Sequence, residues 1–235
     1  MEDMFSGFDM SYFMRPVQTQ SPDIGGVDAD SRIVADAIAE PKVKMLRGIK
    51  HIPRKILGRA AMEQLLPRRL KEDECYHCFT FGRLDSMDFL NHIIRDQHIQ
   101  YVAMSSWAVN ASALAELDDA INRGDLDRVD FYVSDYFIKS HNGTEYQAMK
   151  AFQEKHPCKI AAFLNHSKVM AIFGDRYDCV IETSANANAN PRNEHVTVSI
   201  SSELAFWYKE VFDYIEPFNP YDTPEGWMPW ERQKT

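Results

Sequence analysis

Two short polar sets interrupt apolar runs in the second half of the chain. The first is His166-Ser167-Lys168 within "FLNHSKVMAIFG", Phe163 to Gly174. The second is Ser184 and Asn186 in "CVIETSAN", followed by Glu194 at the start of "EHVTVSI". Read as strands, these segments project residues i and i+2 to one face, so His166 pairs with Lys168 and Ser184 with Asn186. If the strands are sheet neighbours, all four converge with Glu194 at one point. The set suits a phosphate. Lys168 supplies positive charge, while Asn186 and Ser184 supply neutral hydrogen bonds to nonbridging oxygens whose charge redistributes during transfer. An imidazole is a competent nucleophile at phosphorus and needs neither metal nor cofactor. A carboxylate such as Glu194 can bond the other ring nitrogen and fix the tautomer. The alternative is a core histidine beside a lysine that keeps its head in water.

Elements able to position such a set are legible from residue 74 onward. "CYHCFTFG", "QYVAMSSW" and "RVDFYVSDYF" read as strands. "CKIAAFLNHSKVMAIFG" reads as two strands or one bent strand, and "CVIETSAN" and "EHVTVSI" as two more. Between them lie amphipathic helices. "SMDFLNHIIRDQ" has Ser86 as expected N-cap and Phe89, Ile93 and Ile94 on one face. "ASALAELDDAINRG" is stopped by Gly124, and "TEYQAMKAFQEKH" ends before Pro157. "SELAFWYKEVFDYI" closes the series with Ser202 as expected N-cap. This alternation predicts an α/β domain with a mixed β-sheet flanked by helices on both faces. In such sheets, sites form beyond strand ends.

The chain has 235 residues and 45% hydrophobic content, enough for one substantial core. Residues 1–72 read as an N-terminal extension, 73–215 as the catalytic domain and 216–235 as a tail rich in Pro, Trp and acids. A short helix is expected over Ser31–Ala39. No apolar run approaches the roughly 18 residues of a membrane span. The acidic start "MEDMFSGFDMSYFMRPVQ" is unlike a secretory leader. The expected compartment is therefore the cytoplasm, with no stable membrane insertion. Cys75 and Cys78 form a CxxC with no second ligand pair at matching spacing, so no metal site is assigned. Cys158 and Cys179 read as small apolar residues in strands. Net charge is −9. Yet between Pro41 and Lys71 lie Lys42, Lys44, Arg47, Lys50, Arg54, Lys55, Arg59, Arg68, Arg69 and Lys71 against Glu63 alone. Pro53 and Pro67 interrupt this segment, which reads as a basic arm or small helical extension able to follow a phosphate backbone. A solvated basic face packing on acidic surface is the competing reading.

"HSK" followed by "TSAN" and "NPRNEH" resembles the HxK…SxN…E pattern of the phospholipase D superfamily. The resemblance runs from about Ser86 to Ile215, strands and helices included. It implies His166 as the nucleophile forming a phosphohistidine. It further implies Lys168 and Asn186 as phosphate ligands, Ser184 as their support, and Glu194 as the group that orients a histidine. The Asp often found in the superfamily five residues past the Lys is Phe173 here, and Asp175 is the nearest acid. Tyrosyl-DNA phosphodiesterases of the superfamily also lack that Asp. "TSAN" replaces the commoner Gly-Ser start.

The reaction so implied uses two histidines, one attacking and one protonating the leaving oxygen. This chain has one HxK; His141, His156 and His195 lack the surrounding pattern. A symmetric homodimer, as in the bacterial single-motif endonucleases of that superfamily, would join two motifs in one composite site. The expected activity is a metal-independent nuclease, with nucleic acid as partner and DNA favoured over RNA. Trp107, at the end of a strand entering the site, is a candidate base contact. The alternatives are a phospholipid phosphodiesterase and a catalytically idle nucleic-acid-binding or assembly protein.

Overall fold

Runs rich in Val, Ile, Phe and Tyr form eight strands among the residues that the computed structural model describes: 50–56, 62–64, 66–81, 84–139, 143–187, 193–215 and 223–232. The strands are β1 (Lys50–Ile56), β2 (Glu74–Phe81), β3 (Ile99–Ser106), β4 (Val129–Ser134), β5 (Ile160–Phe163), β6 (Val169–Gly174), β7 (Asp178–Thr183) and β8 (Asn193–Ile200). The helices are α1 (Ser86–Ile94), α2 (Ala111–Asn122), α3 (Asp135–Lys139), α4 (Thr144–Lys155) and α5 (Ser202–Asp213). One sheet holds all the strands in the order β1-β2-β8-β7-β6-β3-β4-β5. The pairs β1/β2, β3/β4 and β4/β5 are parallel; the central pairs are antiparallel. The α/β class and the mixed sheet agree with the sequence reading.

The two faces are buried differently. One carries the larger core, with Val102, Met104, Phe131, Val133, Ile172 and Ile181 packed under helices that include α1 and α2. On the other, Tyr101, Tyr132, Phe173 and Val180 lie beneath Ala205 and Phe212 of α5 and beside Trp230 of the tail. The tail therefore packs on the sheet. Trp230 stacks on Tyr101 at 5.0 Å, and Arg232 pairs with the buried Asp178.

Several local expectations change. Asp85, not Ser86, caps α1: its carboxylate accepts from the N–H groups of Met87 (2.9 Å) and Asp88 (3.2 Å). Ser201, not Ser202, caps α5 through the Leu204 N–H. Residues 135–137, expected to end a strand, instead begin the helix Asp135–Lys139. Lys50–Ile56, expected within an arm or helical extension, is an edge strand parallel to β2. Pro53 suggested a break there, but a strand at a sheet edge tolerates a residue without N–H because one side has no partner. The remaining stretches of 41–61, the helix expected over Ser31–Ala39 and His141 lie outside the described residues. Cys75 and Cys78 stand three residues apart on β2 and so face opposite sides of the sheet. Cys75 lies beside Ser199, while Cys78 is in the larger core.

The β6–β7 turn is held by one buried side chain. Gln97 Oε1 accepts from the N–H groups of Arg176 (3.0 Å) and Tyr177 (3.1 Å), and its Nε2 donates to the Tyr177 carbonyl (3.0 Å). A Cβ on Gly174 would stand 2.3 Å from that carboxamide. Gly174→Ala is expected to destabilise the fold by about 1–3 kcal/mol, through overpacking and loss of these bonds. Urea unfolding with an unchanged m-value would register it; wild-type stability would show that Gln97 can move aside freely.

Candidate active site

Strand direction places every strand-borne candidate at one end of the sheet. β3, β4, β5 and β7 run toward that end, while β6 and β8 start from it. Lys168 directly precedes β6, and its carbonyl accepts from the Thr183 N–H at 3.0 Å. Ser184 follows β7, and its N–H donates to the His195 carbonyl at 3.0 Å. His166, Lys168, Ser184, Asn186 and Glu194 are thus brought to the same end by three adjacent strands.

His166 and Lys168 do not lie in a strand. Residues 164–168 form a loop between β5 and β6, and His166 is exposed. The cause is Asn165, whose buried amide takes over the hydrogen bonds of the loop. Its Nδ2 donates to the Tyr132 carbonyl (2.8 Å) and to Ser105 Oγ (3.0 Å). Its Oδ1 accepts from the Ser167 N–H (2.8 Å) and hydroxyl (2.7 Å), the Asx pattern that turns a chain out of regular structure. Ser105 and Ser167 hydroxyls also meet at 2.6 Å. With the Ser167 hydrogen given to Asn165, the Ser105 hydrogen is left for Ser167. Sequence reasoning missed Asn165 and Ser105 as positioning residues. The available signal was an Asn directly before the HxK.

The Lys168 ammonium donates to the His166 carbonyl at 2.8 Å and stands 3.3 Å from His166 Nδ1. Partial burial pushes its pKa below the ordinary lysine value, with the nearby Glu194 carboxylate pulling the other way. Glu194 is buried and accepts from the Ser184 hydroxyl, which in turn accepts from the His195 N–H at 3.0 Å. Ser184 is thus one partner of the Glu194 carboxylate, whose charge Lys168 also feels. Asn186 sits between two buried alanines. Ala187 is pinned by its N–H to Ser106 Oγ (3.2 Å) and by its carbonyl to the Asn110 N–H (3.4 Å). The buried Oδ1 of Asn186 has no hydrogen-bond partner among the described residues. A buried amide atom without a partner is costly.

Trp107 lies just past β3, half-buried, its ring stacked on Tyr136 at 5.5 Å. Phe173, where the sequence resemblance would put an Asp, is fully buried near the far end of β6, against Tyr101 and Trp230. Five residues of strand put it about 16 Å from Lys168, so this position packs the core and does no chemistry. Among the described residues, no group of three His, Cys, Asp or Glu side chains is placed to hold a metal ion, and no helix is long and apolar enough to cross a membrane.

No protein-family model and no curated protein matches the chain. Solved structures similar to it include these three. The first is Nuc, a phospholipase D family member from Salmonella typhimurium: 17% identity over 59% of this chain and 91% of that one, TM-score 0.46. The second is polyphosphate kinase from Porphyromonas gingivalis: 11% identity, 62% and 26% coverage, TM-score 0.47. The third is phosphatidylserine synthase from Haemophilus influenzae Rd KW20: 13% identity, 65% and 40% coverage, TM-score 0.44. The chain thus spans well under half the length of the kinase and of the synthase.

Proposed function

We propose that this protein is a phospholipase D-type phosphodiesterase that cleaves nucleic acid through a phosphohistidine, with a composite site formed by two copies of the chain. The observation that carries this reading is the convergence of Lys168, Asn186 and the Ser184–Glu194 pair beside an exposed His166 at one sheet end. A phosphate entering there displaces the Lys168 ammonium from His166 Nδ1. Nδ1 can then hold the ring proton, leaving Nε2 with a lone pair. Attack forms a P–N bond and breaks the P–O bond to the leaving group, which takes a proton from the histidine of the second copy. That histidine then accepts a proton from water as the water's oxygen displaces the phosphoryl group from His166. Lys168 and Asn186 hold the oxygens on which charge redistributes.

The experiment is cleavage of labelled single- and double-stranded DNA and RNA by purified protein in excess EDTA. Cleavage supports the reading; a folded, dimeric protein that cuts none of them removes it. The lysine adds a pH prediction. Phosphate affinity requires the ammonium, so kcat/KM should fall on the alkaline side at a pH below the ordinary lysine value of 10.5. Lys168→Arg should push that limb to higher pH, since guanidinium stays charged. An unmoved limb would assign it to another group.

A further inference from the structure

Tyr136 is 59% exposed at the same end of the sheet, a large aromatic ring left mostly in water. It is the second residue of α3, and its N–H donates to Ser134 Oγ at 3.2 Å, which fixes the backbone where β4 ends. One face of the ring is backed by Trp107, with ring planes 20° apart. Trp107 itself packs against the larger core. The result is a flat surface with a rigid support behind it. β6 neighbours β3, and β3 neighbours β4, so Tyr136 stands roughly two strand spacings, about 10 Å, from the strand that follows Lys168. That separation suits a base next to a phosphate held by Lys168 and Asn186.

We propose that Tyr136, backed by Trp107, is a stacking platform for one base of a single-stranded nucleic acid beside the scissile phosphate. This rests on the phosphodiesterase reading and names its substrate class. Stacking on a ring already held in place loses little side-chain entropy and tolerates any base, because every base offers a π-face. Trp107 is then the support and Tyr136 the contact. A membrane surface is disfavoured as the occupant. The exposed and half-buried residues at this end of the sheet include Leu164 and Phe163 but also Asp135, Lys139, His166, Ser167, Lys168, Ser184 and Asn186, a mixed, mostly polar set unlike the continuous apolar face that enters a bilayer interface.

The test is binding, read in a His166→Ala background so that no strand is cut. Fluorescence anisotropy compares labelled dodecathymidylate with a dodecamer of the same backbone lacking bases. The thymidylate should bind at least about fivefold more tightly. Tyr136→Ala should abolish that ratio and Tyr136→Phe should keep it. No binding, equal affinity for the two strands, or a ratio unchanged in Tyr136→Ala overturns the proposal. So does binding to phosphatidylglycerol vesicles that depends on Tyr136 while strand binding does not. The wild-type cleavage assay separates the two readings. Cleavage with no base dependence removes the platform and keeps the enzyme; base-dependent binding without cleavage keeps the platform and removes the enzyme.

Discussion

If the proposed composite site is right, replacing His166 with alanine should reduce phosphodiester cleavage by about 10⁴-fold or more, because one substitution would remove both its nucleophile and its acid–base group. The fold should hardly notice. His166 is exposed on a loop, and its ring contact is with Lys168, so the stability change should stay within about 0.5 kcal/mol. Loss of activity at constant stability is thus the expected pair of results, read by a cleavage assay and urea unfolding on the same preparation. Full activity in His166→Ala would sink histidine chemistry at this site. Mixing wild type with His166→Ala tests the dimer as well. After subunit exchange at equal amounts, a site needing both histidines keeps about a quarter of the activity of wild type at the same total concentration. Independent sites keep about half.

The second large effect is on stability and lies away from the site. Asp130, fully buried near the start of β4, gathers groups from four parts of the chain. Arg128 Nη2 pairs with it at 2.7 Å, and the Tyr101 hydroxyl donates at 3.1 Å. The Lys159 N–H donates at 2.7 Å and Trp227 Nε1 at 3.3 Å. Arg128 also lies over the Tyr101 and Trp227 rings, at 5.6 and 5.3 Å. Asp130→Ala leaves a half-buried guanidinium and a buried backbone N–H without their acceptor, so it should cost about 3–5 kcal/mol. Urea unfolding followed by circular dichroism should show the lowered midpoint, and Trp227 should become more accessible to quenchers in native buffer. At low temperature, where the variant is still folded, cleavage should persist, since Asp130 is at the end of β4 opposite the site. A near-neutral substitution would mean that water replaces the carboxylate and that the tail docks by stacking alone.

The residues proposed for chemistry were legible because their signal is local. His166 and Lys168 stand two apart, as do Ser184 and Asn186, and polar types within apolar runs stand out. Most elements were legible for the same reason: apolar period marks strand or helix, and Gly124 ended α2 one residue after its C-cap. The strand reading failed at His166 because it passed over Asn165, whose turn to Ser167 is local. What the sequence does not record is the anchor of that turn: Asn165 Nδ2 reaches Tyr132 and Ser105, 33 and 60 residues away.

Local sequence thus determined the candidate reactive set, most element types and the α/β class, because side-chain period and residue chemistry act over a few positions. Tertiary structure decided the rest. It ordered the strands, made Lys50–Ile56 an edge strand and set Tyr136 against Trp107. It also joined Trp227 to Asp130 across 97 residues. Those outcomes depend on which buried polar groups find partners and which faces share a core, and both are properties of the assembled sheet.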